Sequence, residues 1–108
     1  MEISAGLIKL KSGSLGDVQE WKETLERRRE EAVQTLVDQG VEIESWFQVE
    51  IDGDQYLIWY MRSEAIENAH STYAKSTHDI DAFHARIMAQ VTDKMIKTFP
   101  LIDLTKDG

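Results

Sequence analysis

VEIESWFQVEIDGDQYLIWYMR, residues 41–62, consists of two alternating apolar–polar runs on either side of Asp52-Gly53. Period-two alternation is the signature of a strand, and an Asp-Gly pair between two such runs favours a tight hairpin turn. With an even-numbered loop the side chains divide cleanly between two faces. One face collects Val41, Ile43, Ser45, Phe47, Val49, Ile51, Tyr56, Ile58 and Tyr60. It is almost wholly apolar and is expected to meet helices. The other collects Glu42, Glu44, Trp46, Gln48, Glu50, Leu57, Trp59 and Met61. Two tryptophans and a methionine on an open sheet face would form a patch of the kind that marks an interface or a pocket. That second face is expected to pack on the same face of another copy, as a homodimer, with a small-molecule ligand in the space between the two faces. A three-residue loop would swap the partner faces.

Upstream, Ile3 to Lys11 reads as a first strand that Ser12-Gly13-Ser14 ends. Ser14 or Asp17 can cap the next helix, each with an acid three residues on. Val18, Trp21, Leu25, Ala32, Leu36 and Val37 recur near the 3.6 period and carry that helix to about Gln39. The stripe is interrupted at Arg28, and Gly40 stands where a left-handed C′ residue belongs. Downstream, Ser63 is the expected N-cap of a second helix, which carries Ile66, Ala69 and Tyr73 inward and frays near Ser76-Thr77. A third helical piece begins at Asp79 or Asp81, with Ile80, Phe83, Ile87, Val91 and Met95 as its stripe. Phe99 to Leu104 are expected as a last strand, which Pro100 confines to an edge. The order is β-α-β-β-α-β with the second helix broken in two. Residues 1–108 thus read as a single α+β domain of the ferredoxin-like split βαβ arrangement.

The bulk properties narrow the function classes. At 108 residues and 42% apolar composition, a single hydrophobic core is feasible. The formal net charge of -8 argues against nucleic acid or an anionic membrane as partner. The Arg27-Arg28-Arg29 run is flanked by Glu26, Glu30 and Glu31, which suits a salt-bridged helix surface. No cysteine is present, so disulfides, thiolate nucleophiles and Cys-based zinc sites are ruled out. No apolar run approaches the roughly 20 residues of a membrane span, and no secretory signal pattern opens the chain. A cytoplasmic protein is the expectation.

Glu44-Ser45-Trp46-Phe47, Ile51-Asp52-Gly53 and Tyr56-Leu57-Ile58-Trp59-Tyr60-Met61-Arg62, with Ser76-Thr77-His78-Asp79-Ile80-Asp81 and Phe83-His84, together resemble a bacterial family of uncharacterised small proteins. The resemblance runs along nearly the whole chain. It implies a ferredoxin-like fold of the dimeric α+β-barrel type, in which small molecules bind between sheet and helices. That superfamily includes monooxygenases, haem-degrading enzymes and small isomerases, so it selects no single chemistry. Haem degraders of the superfamily use an Asn on the first strand. Trp59 and His70 are spaced plausibly for such a site, but Ile3 to Lys11 contains no Asn, and no cofactor is expected.

Three histidines carry the remaining chemical promise, because imidazole titrates near neutrality. Asp81 and His84 form an i, i+3 pair, so the carboxylate can orient the ring and make it a general base or proton carrier facing Trp46 and Trp59. The alternative is that Asp79 and Asp81 serve helix capping while His84 is a packing residue. His70, His78, Gln48 and Met61 complete the expected ligand pocket. A metal held by His78, Asp79, Asp81 and His84 would need a His spacing of six, which fits no helical ligand pair, and no metal is expected. Glu42, Glu44 and Glu50 could supply carboxylates, although charges on an edge strand more often deter aggregation. The functions left are a homodimer binding a small apolar or aromatic molecule, a cofactor-independent monooxygenase-like enzyme, and a ligand-free interaction domain.

Overall fold

A computed structural model describes residues 1–108. Its elements are β1 (Glu2–Leu10), α1 (Leu15–Arg27), α2 (Arg29–Gln39), β2 (Val41–Ile51), β3 (Asp54–Ser63), α3 (Ile66–Ala74), α4 (Asp79–Val91) and β4 (Thr92–Lys97). The four strands form one antiparallel sheet in the order β2-β3-β1-β4. No helix is long and apolar enough to cross a membrane.

The hairpin forms as its sequence demands. Asp52 and Gly53 have φ of 52° and 84°, the doubly positive pair of a type I′ turn, and Ile51 faces Asp54 across it. The loop therefore has two residues, and Trp46 lies opposite Trp59.

The faces are the reverse of the expected ones. Trp46, Leu57, Trp59 and Met61 look toward the helices, next to Ile8 and Leu10 of β1. Leu57 joins Ile8, Leu10, Val18, Trp21, Ile87 and Val91 in the main core. The apolar face carrying Ile43, Phe47 and Ile51 is left uncovered. Alternation fixes which residues share a face, but not which face receives the helices. Val41 is the exception that shows the local control: a register shift between Val41 and Ile43 moves it to the helix side, where it packs with Met61 and Ala69.

Other boundaries move for local reasons. The long helix expected to Gln39 breaks at Arg28, whose N–H still bonds Thr24 O at 2.9 Å. Val37 consequently points to solvent. Gly40 ends α2 with φ 69°, as expected. Ser14 stands at the start of α1, but its hydroxyl donates back to Lys11 O at 2.7 Å instead of capping. Ser63 belongs to β3, where its hydroxyl donates to Gly40 O and accepts from Ala65 N–H, so α3 starts at Ile66. The last strand is Thr92–Lys97 rather than 99–104, and Met95 therefore lies on a strand, not on the α4 stripe. Residues 98–104 instead form an irregular tail with a bend at Leu101, anchored by Thr98 to Ala5 O and by an Arg62–Asp103 ion pair.

Candidate functional site

The helices cover the sheet incompletely. Between them lies a cavity of about 710 Å³, walled by Ile8, Leu36, Trp46, Trp59, Met61, Ile80 and Met88. Each wall has a sequence origin. The odd positions of β3 and the even positions of β1 and β2 point inward from the sheet, while the α4 stripe supplies Ile80, His84 and Met88 from above.

One wall depends on Gly6. This residue pairs with Trp59 across β1 and β3, and the indole lies directly over the glycine. A Cβ at Gly6 would come within 2.1 Å of the Trp59 ring. The absent side chain is what gives the ring its place.

An aromatic group closes around His84. Trp21 Nε1–H donates to His84 Nδ1 at 2.9 Å. Trp46 meets the same ring edge-on at 5.6 Å and Tyr73 at 6.0 Å between centroids. Trp46 also packs edge-on against Trp21 at 5.2 Å. An indole N–H can only donate, so Nδ1 is an acceptor and the neutral ring must carry its proton on Nε2. Nε2 makes no hydrogen bond within the chain. Burial pushes the His84 imidazole below its ordinary value, and the Asp81 charge offsets this only in part. His84 is therefore neutral near pH 7 and presents an N–H.

Asp81 does not orient His84 by a hydrogen bond; Trp21 does. Asp81 Oδ2 is sealed from solvent and has no partner in the chain. Glu44 reaches the same region. Its residue is open to water, yet the carboxyl sits within the concavity, where burial raises its pKa. The Trp46 indole works against that rise and the Asp81 charge adds to it. Tyr73 is pushed up by burial and by the charges of Asp81 and Glu44. Four polar groups from β2, α3 and α4 thus converge on one part of an otherwise apolar space.

Of the residues named from the sequence, Trp46, Trp59, Met61, His70, Asp81 and His84 line this cavity. Gln48 does not: it bonds Gln55 at 3.1 Å on the exposed hairpin. His78 lies apart in a shallower polar cleft, where its Nε2 meets Asp38 Oδ2 at 2.7 Å and ties the start of α4 to α2. No group of three or more His, Asp and Glu side chains is arranged to hold a metal ion. Trp21 and Tyr73 were legible only as core positions on helical stripes, since a cross-helix bond spanning 63 residues leaves no local signal. Glu44 was visible among the acids of β2, but its inward direction depends on which face the helices cover.

A family model described as a family of unknown function (DUF6176) matches residues 1–107, and the chain belongs to that family. No curated protein matches it.

Proposed function

We propose that this member of a family of unknown function binds a small apolar or aromatic molecule between its sheet and its helices. The observation that carries this reading is the cavity itself. It combines a volume suited to a small organic molecule, aromatic and aliphatic walls, and a few convergent polar groups. The state of His84 favours binding over monooxygenase-like proton abstraction. With Nδ1 occupied by Trp21 and the proton on Nε2, the ring offers a donor rather than a base.

The test uses N-phenyl-1-naphthylamine, an uncharged dye that brightens in a dry apolar site. Saturable binding at one dye per chain is expected, with energy transfer from the cavity tryptophans. Met88→Trp, which fills the cavity, should weaken it at least tenfold. Dye that fails to saturate, or that binds Met88→Trp equally well, counts against the pocket.

A homodimer completes the proposal, through the opposite face from the one expected. Phe47, Ile58, Leu7 and Ile96 form one continuous apolar rung across all four strands. Phe47 is 57% exposed, and Ile43 and Ile51 flank it on β2. The tail adds Phe99, Leu101, Ile102 and Leu104, all largely exposed. An apolar sheet face this broad favours self-association. Its strand order, with two crossings over one side of an antiparallel sheet, supports a ferredoxin-like fold of the dimeric α+β-barrel type. Sedimentation equilibrium should give a dimer at tens of micromolar, and Phe47→Asp a folded monomer. A native chain that sediments as a monomer would reject the dimer.

A further inference from the structure

We infer that the cavity ligand is an organic cation, an apolar or aromatic amine whose ammonium group lies between Glu44 and Asp81 and whose body lies against Trp46 and Trp59. This deepens the ligand-binding proposal above and rests on it.

Charge balance is the first argument. Glu44 and Asp81 both line the cavity, and neither has an ion-pair partner among the salt bridges of the chain. His84, on the same helix as Asp81, is held neutral by burial, and Lys75 and His78 line a separate cleft on the other side of Asp81 without an ion pair to it. The other basic side chains of the cavity, Arg29 and His70, are exposed, as are Glu26 and Glu44. The three acids that line the site, Glu26, Glu44 and Asp81, outnumber its one guanidinium, Arg29, so the lining is acidic on balance. Unpaired charge in a low-dielectric space is costly, and a bound cation removes that cost.

Hydrogen bonding is the second argument. Asp81 Oδ2 is buried without a donor, a rare condition for a carboxylate oxygen. A small adjustment of Asp81 on binding would let an ammonium N–H supply a donor. The third argument is the wall. Trp46 and Trp59 stand 6.3 Å apart at 42°, and indole faces attract cations more strongly than other aromatic side chains do. A carboxylate ligand would meet the same two acids as like charges. A neutral alcohol would satisfy the orphan oxygen but leave the charge.

Three probes with one phenyl body separate these cases: phenethylamine, 2-phenylethanol and phenylacetate, titrated by quenching of tryptophan fluorescence at pH 7.5. Phenethylamine should bind at least tenfold more tightly than 2-phenylethanol, with phenylacetate weakest, and raising the salt concentration should weaken only the amine. Asp81→Asn and Glu44→Gln should each cut the amine's advantage over the alcohol severalfold. A second readout follows from Glu44, which holds its proton more tightly than usual because of burial and Asp81. An ammonium beside it reverses that, so calorimetry at pH 6 in buffers of different ionisation enthalpy should show proton release on amine binding. Binding led by the alcohol or the acid, or an amine preference untouched in both variants, overturns the cation inference alone. If none of the three binds while the uncharged dye does, the inference likewise fails and the cavity stands. If neither the probes nor the dye bind, the ligand proposal falls with it.

Discussion

Gly6→Ala is expected to destabilise the fold by about 2–3 kcal/mol, a typical cost of forcing extra volume into a filled site. For a domain of this size the thermal midpoint should fall by roughly 10–20 °C. The added methyl meets three atoms of the Trp59 ring at 2.1, 2.5 and 2.6 Å, all far inside ordinary van der Waals contact. The ring cannot simply yield, because Trp46 lies beside it and Trp46 is itself packed against Trp21 and His84. Relief must come from turning Trp59 into the cavity or from separating β1 and β3. Either way the ligand space shrinks, so dye binding should drop together with stability. Gly16→Ala is the control, since nothing lies within 4 Å of a Cβ there, and its midpoint should hardly move. Equal midpoints for Gly6→Ala and the native chain would show that Trp59 does not occupy this place.

Trp21→Phe should be comparably severe, about 2–4 kcal/mol, because it combines lost volume at a buried position with an unpartnered acceptor. Its diagnostic effect is on His84. Burial is the main reason the His84 pKa lies low, and the indole N–H, which bonds the neutral form of the ring at Nδ1, acts in the same direction. Without it, the His84 titration followed by NMR should move upward, toward the ordinary imidazole value of about 6.5. The consequence for stability has a definite sign. In the native chain His84 is depressed, so just below pH 6.5 the unfolded chain binds more protons than the folded one. Stability therefore declines as pH falls from about 6.5 toward the folded value, and Trp21→Phe should flatten that decline. Glu44 acts in the opposite sense. Its pKa is raised, so the folded chain binds more protons above the ordinary carboxyl value of about 4.3, and stability declines as pH rises through that window. Glu44→Gln should remove this second slope and leave the first. A His84 titration unchanged in Trp21→Phe would mean that the 2.9 Å bond contributes nothing.

The cavity also explains why polar residues sit on the inner side of the hairpin. Glu44 and Trp46 occupy the face that a sequence-based expectation turns away from the helices, because the opposite face is almost wholly apolar. Here the helix layer is interrupted, and Glu44 keeps access to water through the gap. The apolar opposite face would be a misplaced core in an isolated chain. In the homodimer proposed above a second copy would cover it, and burying it there would leave the cavity and its aromatic group undisturbed.

Local chemistry alone determined the hairpin and its turn, the helix end at Gly40, the break between α3 and α4, and the order of strands and helices. These rest on interactions within a few residues: positive φ at Asp52 and Gly53, left-handed backbone at Gly40, and apolar periodicity along α4. Alternation likewise put Trp46 and Trp59 on the same face as Met61. What tertiary structure decided was the side of the sheet that the helices take. That choice depends on the summed fit of four helices to β1 and β3, and no window of sequence contains it. It placed Trp21 against His84, left Asp81 without a partner, turned Glu44 inward, and set the indole of Trp59 over Gly6. The hairpin supplied the wall of a site, and only the packing above it turned that wall into a cavity.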